Sequence, residues 1–500
     1  MLALAWEYLA GRAVAKSVTS TDEPEWPPHP DRVFQALVAA WGEHGCDEAE
    51  RDALEWLESA GVPALAVPLE HDTVGEVRGD VLRGAAPTVF VPTNDVRGGR
   101  GEYSDKAVGL IPYHRKKAGR TFPSVVVGPR VCALRWDAAN PGVHVASIER
   151  LASRVSYLGH SRSLVRMWVT QAPPATTWFP VPSGTPRTAS LRVPTKGRLS
   201  VLIDAYAGGG QGWRRPPWAT DHGYILADAR SDPRRASFSS DLVILAARGM
   251  TRLGLSQTLL VTGALRGALI KCATDARVRE LVSGHDLDGA PLDRSHVAYL
   301  PLAFVDRRHA DGHLLGVALA LPRDISPSDE QSILDVVARA CRSVVRDEPA
   351  LHLFMGAVGE LFLETTGVDE RRNALRPESW CRPSRTWRTV TPFVLDRMPP
   401  RRHDDHEAWV VAQVRDACAR QGLPQPADVE LDTTPFVIGA PNARSFPAIA
   451  GKDRRRKWHT HIRVRFAEAV AGPLVLGAGR YRGYGLFRPA QDVGGGGSAP

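Results

Sequence analysis

The order of apolar segments between residues 242 and 363 limits the possible folds more than any other feature of the chain. Six segments alternate as strand, helix, strand, strand, helix and strand: 242–248, 256–272, 297–305, 314–321, 326–344 and 351–363. Ser256 is expected to cap the first helix, whose inward positions are Leu259, Leu260, Leu265 and Leu269. Ser326-Pro327 opens the second helix. The order βαββαβ predicts a ferredoxin-like unit.

A looser copy of the same order is expected in residues 386–490. Its strands are predicted at 389–395, 429–438, 461–466 and 485–488, with a helix at 403–420 and a short turn at 470–476. Residues 1–235 are expected to form another α/β assembly, with a strand-like segment at 2–15 and a helix starting at Pro30-Asp31. The predicted fold class is therefore α+β, with multiple ferredoxin-like (RRM-like) units.

Polar composition near residues 228–240 marks the expected boundary between two large domains. The expected division is 1–235 and 241–490, the latter split into 241–370 and 386–490, with a flexible tail at 491–500.

No apolar run approaches the roughly 20 residues that would cross a bilayer, so we expect no membrane association. The cysteines are scattered without a CxxC pair, at positions 46, 132, 272, 341, 381 and 418. Reduced thiols and a cytoplasmic location are expected.

A glycine-rich segment at 477–485 is the strongest functional signal. Gly477, Gly479, Gly483 and Gly485 enclose Arg480, Tyr481 and Arg482, and a basic run precedes them at Arg454, Arg455, Arg456 and Lys457. Glycines let a backbone approach phosphates closely, while Arg and Tyr supply charge and stacking faces. The net charge of +8 is weaker support. We interpret the segment as an RNA-binding site; the alternatives are a plain tight turn and a solvated basic face. It lacks the context of a dinucleotide fingerprint.

Histidines are the candidates for acid–base chemistry near neutral pH. His285 lies in a glycine-flanked loop and His296 directly precedes a strand, while His459 and His461 share one strand face with Arg463. Each of them has a structural alternative. His309, Asp311 and His313 suggest a metal site, but a hairpin tip offers few further ligands, so neither a metal nor a cofactor is expected.

Segments spread over almost the whole chain resemble the fused CRISPR subunit of type I-G (earlier I-U) systems. The matching stretches are EWPPHPDRVFQALVAAW at 25–41, RTFP at 120–123, YLGHSRS at 157–163, SGHD at 283–286, AYLP at 298–301, HADGHLLG at 309–316, TPFVL at 391–395 and GPLVLGAGR at 472–480. That family joins a "Cas five"-type domain to a "Cas six"-type endoribonuclease domain. Both are built on ferredoxin-like folds.

The resemblance implies that the N-terminal part holds the 5′ handle of CRISPR RNA and assembles with a backbone subunit and a large subunit, meeting target DNA only indirectly. The C-terminal part would bind the repeat through 477–485 and cut the precursor without a metal, leaving a 2′,3′-cyclic phosphate. Many relatives carry their catalytic histidine near the first helix of the first ferredoxin-like unit, where this chain has none. His285 and His296 are therefore the first candidates and His461 the reserve. Two rivals are a non-catalytic RNA-binding subunit and a metal-dependent hydrolase.

Overall fold

Two compact units make up the chain, and each is described by itself. The computed structural model describes residues 1–17, 24–69, 82–84, 88–92, 117–182, 184–208, 217, 219–227, 234–249, 252–307, 309–342, 344–345, 348–365, 373–398, 406–450 and 456–490. Unit 1 comprises Met1–Phe179 and Leu191–His222, and unit 2 comprises Pro180–Ser190 and Gly223–Pro500.

The elements up to residue 226 are mainly strands, with helices between some of them. They are β1 (Leu2–Tyr8), β2 (Arg12–Val14), α1 (Pro30–Glu43), α2 (Glu48–Ser59), β3 (Ala64–Ala66), β4 (Leu82–Gly84), β5 (Thr88–Pro92), β6 (Lys117–Thr121), β7 (Ser124–Val126), β8 (Val131–Trp136), α3 (Val145–Arg154), β9 (Val165–Val169), β10 (Trp178–Pro180), β11 (Ala189–Val193), α4 (Arg198–Ala207) and β12 (Thr220–Leu226). The expected strand at 2–15 is broken, because Gly11 turns with a φ of +62°.

The main sheet of unit 1 has ferredoxin-like topology. Its strands lie in the order β9-β1-β8-β3, and β10, β12 and β11 extend it. Helices α1 and α2 connect the first two strands of the motif, β1 and β3, while α3 connects the last two, β8 and β9. Numbered along the chain, this is the order 4-1-3-2 of a βαββαβ unit. The buried, mostly apolar side chains of β1 explain its central place.

Unit 2 contains two further βαββαβ modules. The first module consists of β14 (Val243–Arg248), α5 (Thr258–Cys272), α6 (Ala276–Ser283), β15 (Ala298–Ala303), β16 (Leu314–Ala320), α7 (Pro327–Cys341), β19 (Leu351–Phe354) and β20 (Glu360–Thr365), with β13 (Arg234–Arg235) before it and the short pair β17 (Val344–Val345) and β18 (Glu348–Pro349) inside it. The sheet order β15-β16-β14-β20-β19 again gives 4-1-3-2, with β19 added at the edge.

Most boundaries predicted for the first module are confirmed, with five corrections. The last strand is a hairpin of β19 and β20, which turns at Gly356 and Gly359. Ser256 does not cap α5, because it lies in a 3-10 turn before the helix, and Leu260 is exposed rather than inward. Helix α6 was not predicted. Val344 lies beyond α7, in β17. Ser326 does cap α7, since its Oγ accepts the Asp329 N–H at 3.1 Å.

The second module has the same topology without its second helix. It consists of α8 (Glu378–Cys381), β21 (Ser384–Thr389), β22 (Phe393–Val394), α9 (His406–Arg420), β23 (Asp428–Asp432), β24 (His459–Ala471) and β25 (Phe487–Pro489). Both β21 and β23 pair with β24, and β25 pairs with β21, so the order is once more 4-1-3-2. Residues 472–486 occupy the place of the missing helix and contain the glycine-rich segment.

One hydrophobic core joins the two modules of unit 2. Val394, Val475, Tyr484 and Leu486 of the second module belong to the same buried cluster as the strands and helices of the first. A smaller cluster packs α9 against the inner face of the second sheet. The predicted fold class, α+β with multiple ferredoxin-like units, is confirmed by these topologies. The predicted domain division at residues 235 and 241 stays a prediction.

Candidate functional site

The glycine-rich segment packs against the protein's own backbone. A Cβ added to Gly485 would lie 1.8 Å from the Leu476 carbonyl oxygen, and one added to Gly477 would lie 2.5 Å from that of Val394. Gly477, Gly483 and Gly485 also have φ values between +67° and +89°, which side-chain-bearing residues rarely adopt. A Cβ on Gly479 would meet Tyr484 at 2.6 Å. Packing thus accounts for these glycines, and their contact with RNA stays a prediction.

The tip of this segment, a 3-10 turn at Arg480–Arg482, is docked on the first module. Thr262 on α5 donates a hydrogen bond from its hydroxyl to the Arg482 carbonyl at 3.0 Å. A Cβ on Gly483 would meet Thr258 Cγ2 at 2.7 Å and Pro301 Cδ at 3.0 Å, so only glycine allows this contact with α5 and β15. Thr391 donates to the Gly483 carbonyl at 2.8 Å from the other side. The turn is therefore held between the two modules.

Docking brings Tyr481 onto His296, one of the predicted catalytic histidines. The two rings stack with centroids 3.6 Å apart and planes 23° apart. The guanidinium of Arg480 lies over the Tyr481 ring at 4.6 Å from its centroid, and Phe238 meets the same ring edge-on. The predicted RNA-binding segment and a predicted catalytic residue, far apart in sequence, are in direct contact.

His296 is a nearly buried, neutral imidazole. Its side chain packs under Tyr481, and the residue is 8% exposed. Burial, together with the charges of Arg480 and Arg266, lowers its pKa to about 4, although a hydrogen bond to the Arg294 carbonyl opposes this shift. That bond joins Nδ1 to the carbonyl oxygen at 3.2 Å, so Nδ1 carries the proton and Nε2 has a free lone pair. A Cβ on Gly284 would meet Nε2 at 2.4 Å, so the loop comes this close only because it has glycine there.

His285 follows immediately and is held by a neighbouring arginine. Asp275 caps α6, accepting the Val278 N–H at 3.0 Å, and Gly284 ends that helix in the left-handed conformation. The chain then turns so that the Arg266 guanidinium lies 2.8 Å from His285 Nδ1. Arg266 also donates to the Ser283 carbonyl. His285 is half-buried, so it is more accessible than His296.

Arg266 is a site residue that the sequence analysis missed. Burial lowers the pKa of Arg266, and the charge of Arg482 also lowers it, whereas the nearby Tyr299 hydroxyl raises it. Tyr299 itself is buried and donates to the Val282 carbonyl at 2.8 Å. The signal was present in the sequence: Arg266 is a charged residue in the middle of a mostly apolar helix, well before Lys271 in its last turn. A lone charge at such a position is costly unless it has partners.

His461 has a structural position. It is 0% exposed, and both ring nitrogens are engaged: Nε2 with the Pro441 carbonyl at 3.0 Å and Nδ1 with the Thr389 hydroxyl at 3.1 Å. Burial lowers its pKa to about 4. It lies away from solvent under the segment that contains Phe446, whose ring meets its own edge-on. A satisfied, buried histidine of this kind supports the packing of β24.

Among the described upstream residues, Arg456 and Lys457 precede β24, whereas His459 and Arg463 lie on it. Lys457 donates from Nζ to the Asp396 carbonyl at 3.2 Å, while His459 contacts the Ala443 carbonyl at 2.9 Å through Nε2. Arg463 forms an ion pair with Glu430, its Nε 2.8 Å from Oε1. Arg456 is exposed, and Arg454 and Arg455 lie outside the described residues. Their predicted role in RNA binding stays a prediction.

The three residues considered for a metal do not form a centre. His313 is hydrogen-bonded to Asp311 through Nδ1, and His309 adopts a φ of +65° at the tip of the hairpin. Among the described residues, no group of three or more His, Cys, Asp or Glu side chains is arranged to hold a metal ion. The same part of the chain has no helix long and apolar enough to span a membrane.

Comparisons with known proteins identify the family. A solved structure titled "CRISPR associated protein Cas6" is similar at a TM-score of 0.27 and 10% identity, covering 50% of this chain and 98% of the other. No curated protein matches significantly. The sequence model described as "CRISPR-associated protein, GSU0054 family" matches residues 8–489. The chain therefore belongs to the GSU0054 family of CRISPR-associated proteins.

Proposed function

We propose that the chain is an endoribonuclease that cuts precursor CRISPR RNA without a metal and then stays on its product as a subunit of a type I surveillance complex. The contact between Tyr481 and His296, with Arg266 against His285, carries the proposal. It puts a cationic segment of the predicted RNA-binding type beside two imidazoles within unit 2. Ribonucleases that use the 2′-hydroxyl need such a combination: an acid, a base and positive charge.

In the proposed reaction the ribose 2′-oxygen attacks the adjacent phosphorus while the bond from phosphorus to the 5′ oxygen breaks. The 2′-hydroxyl loses its proton to the free Nε2 lone pair of His296. In this step His285 acts as an imidazolium: its Nδ1–H is donated to the Ser283 carbonyl, 3.0 Å away, and its Nε2–H protonates the leaving 5′ oxygen, which leaves the ring neutral. Arg266 and Arg482 balance the charge on the phosphate oxygens. The products are a 2′,3′-cyclic phosphate and a 5′-hydroxyl.

The low pKa of His296 does not conflict with its role as a base. At neutral pH the ring is unprotonated, which a base requires, though burial makes it a weak one. A bound phosphodiester beside the ring adds negative charge, which raises the pKa of an imidazole toward its ordinary value. RNA therefore creates the stronger base when it binds, once Tyr481 has moved from the face of the ring and the loop at Gly284 has moved away from Nε2.

The same proposal assigns a role in RNA binding or assembly to each of the two large domains. Residues 1–235 would form the "Cas five"-type domain that holds the 5′ handle, and residues 241–490 the "Cas six"-type domain, as in the fused subunit of type I-G systems. Belonging to a CRISPR-associated family over residues 8–489 supports this assignment. The expected partners are CRISPR RNA, a backbone subunit and a large subunit, with target DNA contacted only indirectly.

Cleavage of labelled repeat RNA in EDTA tests the proposal. Wild-type protein is expected to release a cyclic-phosphate product, and His285→Ala and His296→Ala to cut roughly 10²-fold or more slowly with little loss of RNA binding. His352→Ala is the matched control, since His352 is an exposed histidine of the same module. Cutting that stops in EDTA would instead support a metal-dependent enzyme.

A non-catalytic RNA-binding subunit is the second candidate, favoured by the cover that Tyr481 gives to His296. In that case repeat RNA binds tightly and remains intact with wild-type protein. Equal slow cutting by wild type, His285→Ala, His296→Ala and the His352→Ala control would point to a contaminating ribonuclease and to the same candidate.

A further inference from the structure

Arginines form a row across the outer face of the sheet in the second module. In the strand register Arg388 on β21 lies opposite Arg463 on β24 and opposite Arg488 on β25. The Asp306 carboxylate, from the first module, reaches this row: it is 2.8 Å from Arg388 Nη2 and 3.5 Å from Arg488 Nε. Arg463 is paired separately with Glu430. The row therefore has one shared acid at its centre.

Positive charge exceeds negative charge around Asp306. Of the four charged groups that act most strongly on Arg488 among the described residues, Asp306 is acidic, whereas Arg382, Arg307 and Arg388 are basic. Burial, together with the charges of the three arginines, lowers the pKa of Arg488 to about 10, although Asp306 opposes this shift. Asp306 is thus a single carboxylate shared by two guanidinium groups, those of Arg388 and Arg488.

Two guanidinium nitrogens in the cluster are buried and unsatisfied. Nε of Arg388 and Nη1 of Arg488 have no hydrogen-bond partner within the part of the chain that the structure describes. The other donors hold these heads in place: Arg388 Nη1 donates to the Phe436 carbonyl at 3.2 Å, and the Arg488 guanidinium lies over the Trp380 ring at 5.3 Å. An unsatisfied buried donor costs roughly 1–3 kcal/mol, and more when charged, so it indicates a missing acceptor.

We propose that a phosphate group binds between Arg388 and Arg488, accepting from these two nitrogens. A water molecule would satisfy a donor but leave the excess charge, whereas a tetrahedral oxyanion does both and fits the planar guanidinium fork. The side chains of Arg388 and Asp306 are 19% and 22% exposed and that of Arg488 is 9% exposed, so a phosphate reaches the two buried nitrogens when these side chains shift. That the phosphate belongs to an RNA backbone rests on the proposed function; free phosphate has the same chemistry.

Thermal unfolding of the full chain in inorganic phosphate, against chloride at equal ionic strength, tests the site. Phosphate is expected to raise the midpoint of wild type, and Arg388→Gln to abolish the rise. Arg415→Gln is the matched control: Arg415 is exposed on α9, which packs on the opposite face of the same sheet, so it should keep the rise. Asp306→Asn removes the competing acid, so its phosphate-dependent rise should exceed that of wild type even if its basal midpoint falls.

RNA binding distinguishes the source of the phosphate. If it belongs to RNA, Arg388→Gln weakens binding of repeat RNA several-fold and lowers the slope of log K against log[salt] by about 0.7, whereas Arg415→Gln does not. A lost phosphate response with unchanged RNA binding assigns the site to free phosphate. Equal responses of Arg388→Gln, Asp306→Asn and Arg415→Gln to inorganic phosphate would overturn the site. Because this assay measures no cutting, its result is independent of the nuclease proposal.

Discussion

Single rings decide the chemistry available at the candidate site. His296 and His461 both have a pKa of about 4 because both are buried, yet their surroundings differ. Both nitrogens of His461 are engaged inside the second module, whereas Nε2 of His296 has a free lone pair; Tyr481 covers the face of that ring and Gly284 lies against Nε2. Of the two, only His296 keeps a nitrogen without a hydrogen bond, and a ligand reaches it when Tyr481 and the loop at Gly284 shift.

The pH dependence of cutting should differ between free and RNA-bound protein. For kcat/KM, which reports the free enzyme, the rate is expected to rise with pH through about 4, the pKa of His296. For kcat the corresponding limb should lie at higher pH, since a bound phosphodiester raises that pKa. Single-turnover rates at subsaturating and saturating protein measure the two limbs. Coincident limbs in both regimes would contradict His296 as the base.

Stability should fall in acid partly because of His461. Its pKa is about 4 in the folded chain and about 6.5 unfolded, so the unfolded state binds the proton first. The resulting stabilisation is complete above pH 6.5. As the pH falls toward 4, the free energy of unfolding decreases by roughly 2–4 kcal/mol. Urea unfolding at pH 7.5 and 5 measures it. His461→Gln, which retains a donor for the Pro441 carbonyl, should show a smaller loss than wild type, while exposed His352→Gln should not.

Sequence reasoning located some of these residues and misjudged the surroundings of others. Strand alternation placed His461 beside Arg463, but the cover over that face comes from Pro441 and Phe446, which alternation does not reveal. Stacking of Tyr481 on His296 depends on a contact between modules. Such long-range contacts arise from tertiary packing, so local pattern cannot predict them.

At the scale of elements, the segment at 472–486 occupies the place where the other modules have a helix. Its glycines permit a chain path that packs tightly on α5 and β15, and the docked turn presents Tyr481 to His296. The βαββαβ order of the first module was predictable because its strands are nearly all apolar and its helices are amphipathic or capped. The hairpin of β19 and β20 was missed although Gly356 and Gly359 were turn signals.

Gly483→Ala should disrupt the docking of this segment. The new methyl group would meet Thr258 and Pro301 within 3.0 Å at a φ of +86°, so we expect a loss of roughly 2–4 kcal/mol and slower cutting. Gly289→Ala is the control, because its φ of +83° is similar but no atom lies within 4 Å of the added Cβ. It should cost only about 1 kcal/mol. Equal effects of the two substitutions on stability and cutting would show that the contact with α5 is unimportant.

At the scale of the whole molecule, the same strand order, 4-1-3-2, occurs three times. In each βαββαβ set the first strand lies inside the four-stranded core. The three sets differ in the elements added to that core: further strands in unit 1, a hairpin in the first module and the glycine-rich segment in the second. With +8 net charge spread over these surfaces, local arrangement rather than total charge decides where an anionic partner binds.

Charge reversal at Arg480 and Arg482 should weaken RNA binding through electrostatics. The double variant Arg480→Glu, Arg482→Glu is expected to bind repeat RNA at least tenfold less tightly. Its slope of log K against log[salt] should fall by about 1.4, for two phosphate contacts on a single strand. Fluorescence anisotropy across a salt series measures both. Arg415→Glu with Arg339→Glu, two exposed helix positions, is the control; equal slopes for the two double variants would refute the assignment.

The contact between Tyr481 and His296 also has a consequence for synthesis. A ribosome makes position 296 long before position 481, so a growing polypeptide presents the imidazole bare until the late segment emerges and folds over it. Until then the uncovered ring has a higher pKa and is exposed to other RNA. Both conditions end only when translation has produced Tyr481.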